Sequence, residues 1–466
     1  MPRHLAFFIL AVAFLSGIIY ASLGVSVYGS LIPAALLCVA LLGLRTGDWI
    51  AGIATVLVLV GGIYYIHDDV RYQAAVSRVP TSAKIEGLIT SDPKHELAFE
   101  SFYAQADIGR LLVQTSPDAP YAYGDRLLLA GSIEKPQPDS YGRFLEKEHV
   151  VGTMKNPEIT LLGSGQGNPL LASLLAAKQS IRRSFERLLP PEKAAFLFGI
   201  LMGTNENFSK DFSNELSASG MKFLTAIDGL HMTIIILIIS SLLCSFLPRR
   251  YALIATLICA ILFVALTGFT ASGVRAAAMA CIAGLAEQVS RIYAPRNALV
   301  LVALVLALIN PKILVLDIGF QLSFVAVLSI IYLKPVLERL LRLDAASRFF
   351  GLKDSLLITI SVQLATAPIL ITQFQNFSLT ALMASLSIVV VLPYLIGSGF
   401  LLAVTAWIFF PAAQLLSFFA SAFLSYVMWV ISIAAHYALP FNPTLSWIAI
   451  IAYYAALVGL LLWLDQ

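Results

Sequence analysis

Apolar and polar positions divide the chain into three parts. Three apolar runs open it, at about 5–24, 26–44 and 48–67. Each approaches the ~20 residues a helix needs to cross ~30 Å of hydrocarbon. The first run follows a basic start, as in a signal peptide, but its length and the two runs behind it predict a first spanning helix. At Asp68 the pattern changes. Short β-rich segments follow, AKIEGLIT, ESFYAQADI, RLLVQTS, DRLLLAGSIE, EHVVGTM and EITLL, separated by turns such as SDPKHE, SPDAPYAYG and KPQPDSYG. Five or six short strands in about 100 residues predict a small barrel, OB-like in the first instance, with a β-sandwich as the alternative. From Leu170 to Leu189, apolar residues recur at helical spacing with Lys178, Arg182, Arg183 and Arg187 between them, until Pro190 and Pro191 stop the helix. That is the pattern of an amphipathic interfacial helix.

A second apolar block fills the rest, with expected spans near 194–204, 229–247, 251–270, 274–290, 297–310, 313–333, 355–373, 379–396, 398–411, 413–438 and 444–464. Several are short or broken by Gly and Pro, as in half-helices or re-entrant segments. The expected fold is therefore a polytopic α-helical membrane protein of about 10–13 membrane helices with an inserted small β-barrel. The divisions are 1–67 for the N-terminal membrane helices, 68–165 for the soluble barrel, 166–192 for the interfacial helix and 193–466 for the main membrane domain.

Composition supports this. The chain is 59% hydrophobic and 12% charged, against about 45–50% and about 25% in soluble domains. A net charge of +3 argues against a strongly basic nucleic-acid face. Residues 68–165 hold ten Lys and Arg against fourteen Asp and Glu, a balance of −4. Arg3 and Arg45 would share the cytoplasmic side, which places the barrel outside. The basic stretch at 333–354 is also expected on the cytoplasmic surface. The cysteines, Cys38, Cys244, Cys259 and Cys281, lie in apolar runs, and no Cys/His spacing predicts a metal site. No cofactor is implied.

An ionisable residue in the bilayer costs about 2.5–3.5 kcal/mol on insertion scales, so each demands a partner or a wet path. Asp228 and His231 are three apart, on one face of a helix start. Asp228 could equally be a helix N-cap. Arg275 sits among Gly, Ala and Ser, and needs a carboxylate such as Asp228, Asp317 or Glu287, or a polyanion. Asp317 and Gln321 are four apart, with the Ser323 hydroxyl nearby, and Gln363 lies in an apolar run. Asp228, His231, Arg275, Asp317 and Gln321 are thus the candidates for lining or shaping an internal polar path. In the insert, Phe102, Tyr103, Tyr121 and Tyr123 are candidates for stacking on bases, or for filling the β core. No Walker A, GxSxG or HExxH pattern is present, so no catalytic residue is assigned.

Three segments carry a family likeness: Asp228-Gly-Leu-His-Met232, Ser272-Gly-Val-Arg-Ala276, and Asn310-Pro311 followed by Gly319-Phe-Gln-Leu-Ser-Phe324. With the GRFLEKEHVVGTM end of the insert, their order resembles the ComEC family of competence proteins, inner-membrane channels for DNA uptake. The resemblance implies a channel for single-stranded DNA in the bacterial cytoplasmic membrane during natural transformation. Implied partners are single-stranded DNA, a competence DNA receptor, a cytoplasmic helicase or translocase, and the lipid bilayer. Asp228 replaces the family's usual Ser. Many members continue into a metallo-β-lactamase-like domain. Here the chain stops at Gln466 without an HxHxDH cluster, so the expectation is no nuclease or ATPase in this polypeptide, with either a separate nuclease acting in trans or incoming DNA already single-stranded. The residues leave two rivals open: a secondary transporter for a small anionic solute, and a membrane glycan polymerase or ligase using Asp228 and His231.

Overall fold

The computed structural model describes residues 3–23, 49–95, 99–117, 121–204, 208–225, 229–288, 294–340, 350–374, 379–438 and 447–464. The expected span at 26–44 falls outside them. The helices are α1 (Arg3–Ser22), α2 (Trp49–Arg78), α3 (Ser140–Lys147), α4 (Pro169–Leu188), α5 (Pro191–Met202), α6 (Lys210–Ala218), α7 (Gly229–Cys244), α8 (Arg249–Leu266), α9 (Ala271–Gln288), α10 (Pro295–Ile309), α11 (Ile313–Leu316), α12 (Ile318–Leu340), α13 (Phe350–Phe374), α14 (Leu379–Ile408), α15 (Phe410–His436) and α16 (Trp447–Leu464). Six of the described helices are long and apolar enough to cross a membrane: α1, α2, α8, α12, α14 and α15. The chain divides into two units, Met1–Leu175 with Ala278–Gln321, and Ala176–Ala277 with Leu322–Gln466.

In the first unit, α1 and α2 cross closely because glycines face the crossing. A Cβ on Gly17 would collide with the Val58 carbonyl, and one on Gly61 with that of Phe14. Small residues allow this approach where lipid supplies no hydrophobic drive between helices. The α2 helix does not stop at the composition change near Asp68. It runs on through a polar segment to Arg78, because HDDVRYQAAVSR keeps helix-compatible residues free of Gly and Pro.

The strands that follow are β1 (Ser82–Ile89), β2 (Lys94–His95), β3 (Glu100–Ala106), β4 (Gly109–Thr115), β5 (Arg126–Glu134), β6 (Val150–Lys155) and β7 (Glu158–Gly163). The order β1-β3-β4-β6-β5 closes by pairing β5 back onto β1, giving a five-stranded barrel with β2 and β7 added at its margins. The β4–β6 pairing is parallel and the other pairings are antiparallel. A parallel pair cannot be joined by a tight hairpin, and here the connection carries β5 and α3. Phe102, Leu111, Val113, Leu127, Leu129, Ile133, Val151 and Met154 fill the interior. The α3 helix lies where the sequence reads as a turn. Asp139 caps it, accepting from the Gly142 amide at 2.6 Å.

The second unit is helical, and its core joins α5, α6 and α7 to α14 and α15 through Phe196, Leu197, Met232, Ile388, Leu395, Leu424 and Val427. The two expected spans 379–396 and 398–411 are one helix, α14, which carries Pro393 inside it. The α5 helix is short, 12 residues, and buried along most of its length.

Candidate functional site

Two polar clusters stand out, one in each unit. The first joins the barrel to the ends of the helices around it. The LEKEH stretch (145–149) closes α3 and turns into β6. Its turn places His149 in the left-handed region, φ 53°, uncommon for a residue with a Cβ. His149 Nε2 lies 3.3 Å from both carboxylate oxygens of Asp68 on α2. Next to it, Lys312 is fully buried, with its ammonium 3.0 Å from Asp69 and 2.8 Å from Glu146. The same ammonium lies 4.1 Å over the Tyr72 ring, and the Tyr72 hydroxyl donates to the Val150 carbonyl. Spacing explains the convergence, since residues 68, 69 and 72 share one side of the helix.

Asn310 ends α10 and holds two segments at once. Its amide donates to the Lys147 carbonyl at 2.9 Å, and its oxygen accepts from the Lys312 amide. Asp317 accepts from the Phe320 amide at 2.7 Å, capping α12. Its other oxygen accepts from Lys147 at 2.9 Å. Burial works against the Lys147 charge, but the Asp317 and Glu148 carboxylates outweigh it and hold the ammonium above its ordinary range. Gln321 turns back and donates to the Val315 carbonyl at 2.6 Å. Asp317 and Gln321 therefore serve the start of α12 in the structure, and Asp317 also ties it to the barrel.

The second cluster lies in the other unit. Arg275 on α9 is 4% exposed. Its Nε donates to the Ser323 hydroxyl at 2.8 Å, and its guanidinium lies 5.9 Å from the Phe324 ring. Ser323 and Phe324 are the end of the GFQLSF segment, so that segment meets the small-residue arginine segment directly. His231 on α7 is buried. Asp228 lies outside the described residues. Gln363 donates to Ser385 at 3.1 Å, a bond between helices.

The stacking candidates divide. Phe102 is 1% exposed inside the barrel core, which corrects its expected stacking role: its ring faces are spent on packing. Tyr121 packs edge-on against Phe102. Tyr103 lies under the Arg110 guanidinium at 4.1 Å, and burial raises its pKa, with Glu148 adding to the effect. The Tyr123 hydroxyl accepts from the Asn168 amide. More open are Tyr141 and Phe144 on α3, stacked with ring centres 6.2 Å apart. Sequence reading missed Lys147 and Lys312 altogether. The signal for Lys312 was a lysine beside an apolar helix end, next to Asn310-Pro311. Among the described residues, no group of three or more His, Cys, Asp or Glu could hold a metal ion.

The arrangement is that of a multi-pass helical membrane protein with a barrel fastened ionically to its helix ends. A family model for the competence protein matches residues 200–466, more than half of the chain. The chain belongs to the competence protein family. ComE operon protein 3 of Bacillus subtilis (strain 168) is 26% identical over 263 residues, 54% of this chain and 32% of that protein. The chain thus spans about a third of the length of the curated relative it matches. No solved structure matches.

Proposed function

We propose that the protein passes single-stranded DNA across the bacterial cytoplasmic membrane during natural transformation. The observation that carries this reading is the competence family match across the membrane helices, together with the buried Arg275 held by the GFQLSF segment. A permanent cation within apolar helices is expensive and is a candidate for contact with charged cargo. The expected orientation puts the barrel outside, from Arg3 and Arg45. In this reading Asp228, His231, Arg275, Asp317 and Gln321 shape the path. The barrel's acidic balance suits guiding a strand without gripping it, since tight nonspecific binding scales with cations on phosphates. The DNA receptor and translocase are separate proteins in this scheme.

The test is uptake of labelled DNA by competent cells with the gene deleted and then restored. The reading predicts that nuclease-protected label inside the cell falls by at least a hundredfold on deletion and returns on restoration. Undiminished internalisation sinks it.

A further inference from the structure

A third polar cluster, absent from the sequence candidates, lies against the middle of α15. That helix is 27 residues long, about 40 Å at ~1.5 Å per residue, and Ser421 and Ser425 straddle its midpoint. Lys193, in the first turn of α5, donates its ammonium to both hydroxyls, at 2.9 Å and 2.6 Å, and to the Ser421 carbonyl at 3.4 Å. Among the described residues its partners are hydroxyls and a carbonyl, with no carboxylate. Two turns further, Ser432 donates to Glu215 of α6 at 3.4 Å. Ser209 donates to Glu192 at 2.6 Å, and Glu192, Ser209, Lys210 and Asp211 are exposed beside them, as are Ser425 and Ser432.

A helix apolar enough to span the bilayer thus presents serine hydroxyls along one side, and α5 and α6 bring charged groups against them. Hydrocarbon cannot solvate them, and ionisable groups at that depth face water or a charged cargo. Among the described residues no carboxylate pairs with this ammonium, which leaves it open to a passing anion. Lys193 stands at the start of α5, which is short and buried along most of its length, the form of a half-helix. Exposed Phe418 and Trp429 lie along the same side of α15 as Ser425, within about 40° of it at 100° per residue. Aromatic faces with a nearby cation are the surface on which single-stranded bases and phosphates are held without sequence preference.

We infer that this side of α15, with Lys193 at its centre, is a water-filled track that contacts the phosphodiester backbone of a single strand. The inference rests on the proposed DNA-uptake function, and its test is separable from that function. In a background with the four cysteines changed to Ser, Ser425→Cys and Ser432→Cys are compared with Phe419→Cys, about 120° away around the helix from Ser425. The reagent is a charged, membrane-impermeant methanethiosulfonate. The track predicts labelling at least tenfold faster at 425 and 432 than at 419. Equal slow rates at all three positions mean a lipid-facing surface and overturn it. Disulfide-linked dimers through Ser425→Cys, in place of labelling, assign the surface to a contact between copies and also overturn it. In cells, Lys193→Gln lowers DNA uptake about tenfold at unchanged membrane abundance, while Lys193→Arg retains it. Full uptake by Lys193→Gln overturns the phosphate contact. If the deletion strain takes up DNA normally, the function falls while the labelling result still reports on the track. If uptake needs the protein but labelling fails, the track alone falls.

Discussion

Replacing Lys312 with Met removes the buried ammonium at the centre of the barrel junction while keeping an unbranched apolar side chain of similar length. Asp69 and Glu146 then face each other without their shared cation. Breaking a fully buried pair on one side costs about 3–5 kcal/mol. Here Lys312 is fully buried, but Asp69 and Glu146 are 37% and 22% exposed, so water rescues part of each carboxylate. The expected cost is about 2–3 kcal/mol, or about a 30- to 150-fold shift in the junction's opening equilibrium. Hydrogen–deuterium exchange on the purified protein in nanodiscs reads this directly. Amides of 146–150 and 312–320 should exchange faster by that factor in Lys312→Met. Amides of β5, inside the barrel, should keep their protection, since Leu127 and Leu129 pack away from the junction. Adding Asp69→Asn and Glu146→Gln removes the orphaned charges and should recover at least half of the loss, because deleting all partners is milder than deleting one. Junction exchange unchanged in Lys312→Met, or raised equally through β5, refutes a local ionic fastening.

Ser323→Ala strips the described hydroxyl partner from Arg275 Nε, and should cost about 1–3 kcal/mol, seen as a lower thermal midpoint in detergent. Phe102→Ala opens a cavity in the barrel core worth about 3–5 kcal/mol. Limited proteolysis should then cut within 82–163 while leaving membrane helices intact, and any loss of DNA binding should track loss of the barrel fold. The Lys147 shift is upward, so its stabilisation is full below the ordinary lysine value of about 10.4 and is lost as pH rises through the raised value. Junction exchange should therefore stay flat from pH 6 to 9 after correction for intrinsic exchange, and a loosening within that window contradicts the assignment. Gly61→Val should disrupt the α1–α2 crossing and lower the amount of folded protein in membranes, with Ala75→Val on the same helix as the comparison.

Much of the architecture was legible because the two solvents impose different patterns. Long apolar runs marked the spanning helices, and short segments that alternate or are rich in β formers, set between turn residues, marked the strands of the barrel. Boundaries were harder. The polar end of α2 reads as the start of a soluble domain, yet a helix that leaves the bilayer can continue in water if its residues are helix formers. The α3 helix was hidden by its shortness and by Gly142, and one helix, α14, reads as two expected spans divided at Gly397, because packing tolerates glycine inside a membrane helix.

The site was legible in part. The rule that membrane charges need partners picked out Arg275, and its Ser323 neighbour sat in a segment already singled out. Partners distant in sequence were not legible: Lys147 meets Asp317, 170 residues away, and Lys193 meets Ser425, 232 residues away. Spacing on a helix face informs only about neighbours within a few turns. Asp317 and Gln321 are one turn apart, as their spacing predicts, and Asp317 caps the helix that holds Gln321.

The central claim, that a DNA strand travels through this chain, is tested most directly by catching the strand in transit. Competent cells are given DNA carrying photoreactive thymidine analogues and a bulky end group that stalls entry, then irradiated, and the chain is isolated and digested. The account predicts DNA cross-linked to peptides from the membrane helices, sensitive to a single-strand nuclease until fixed. Stalled uptake with cross-links to other membrane proteins and none to this chain would contradict it.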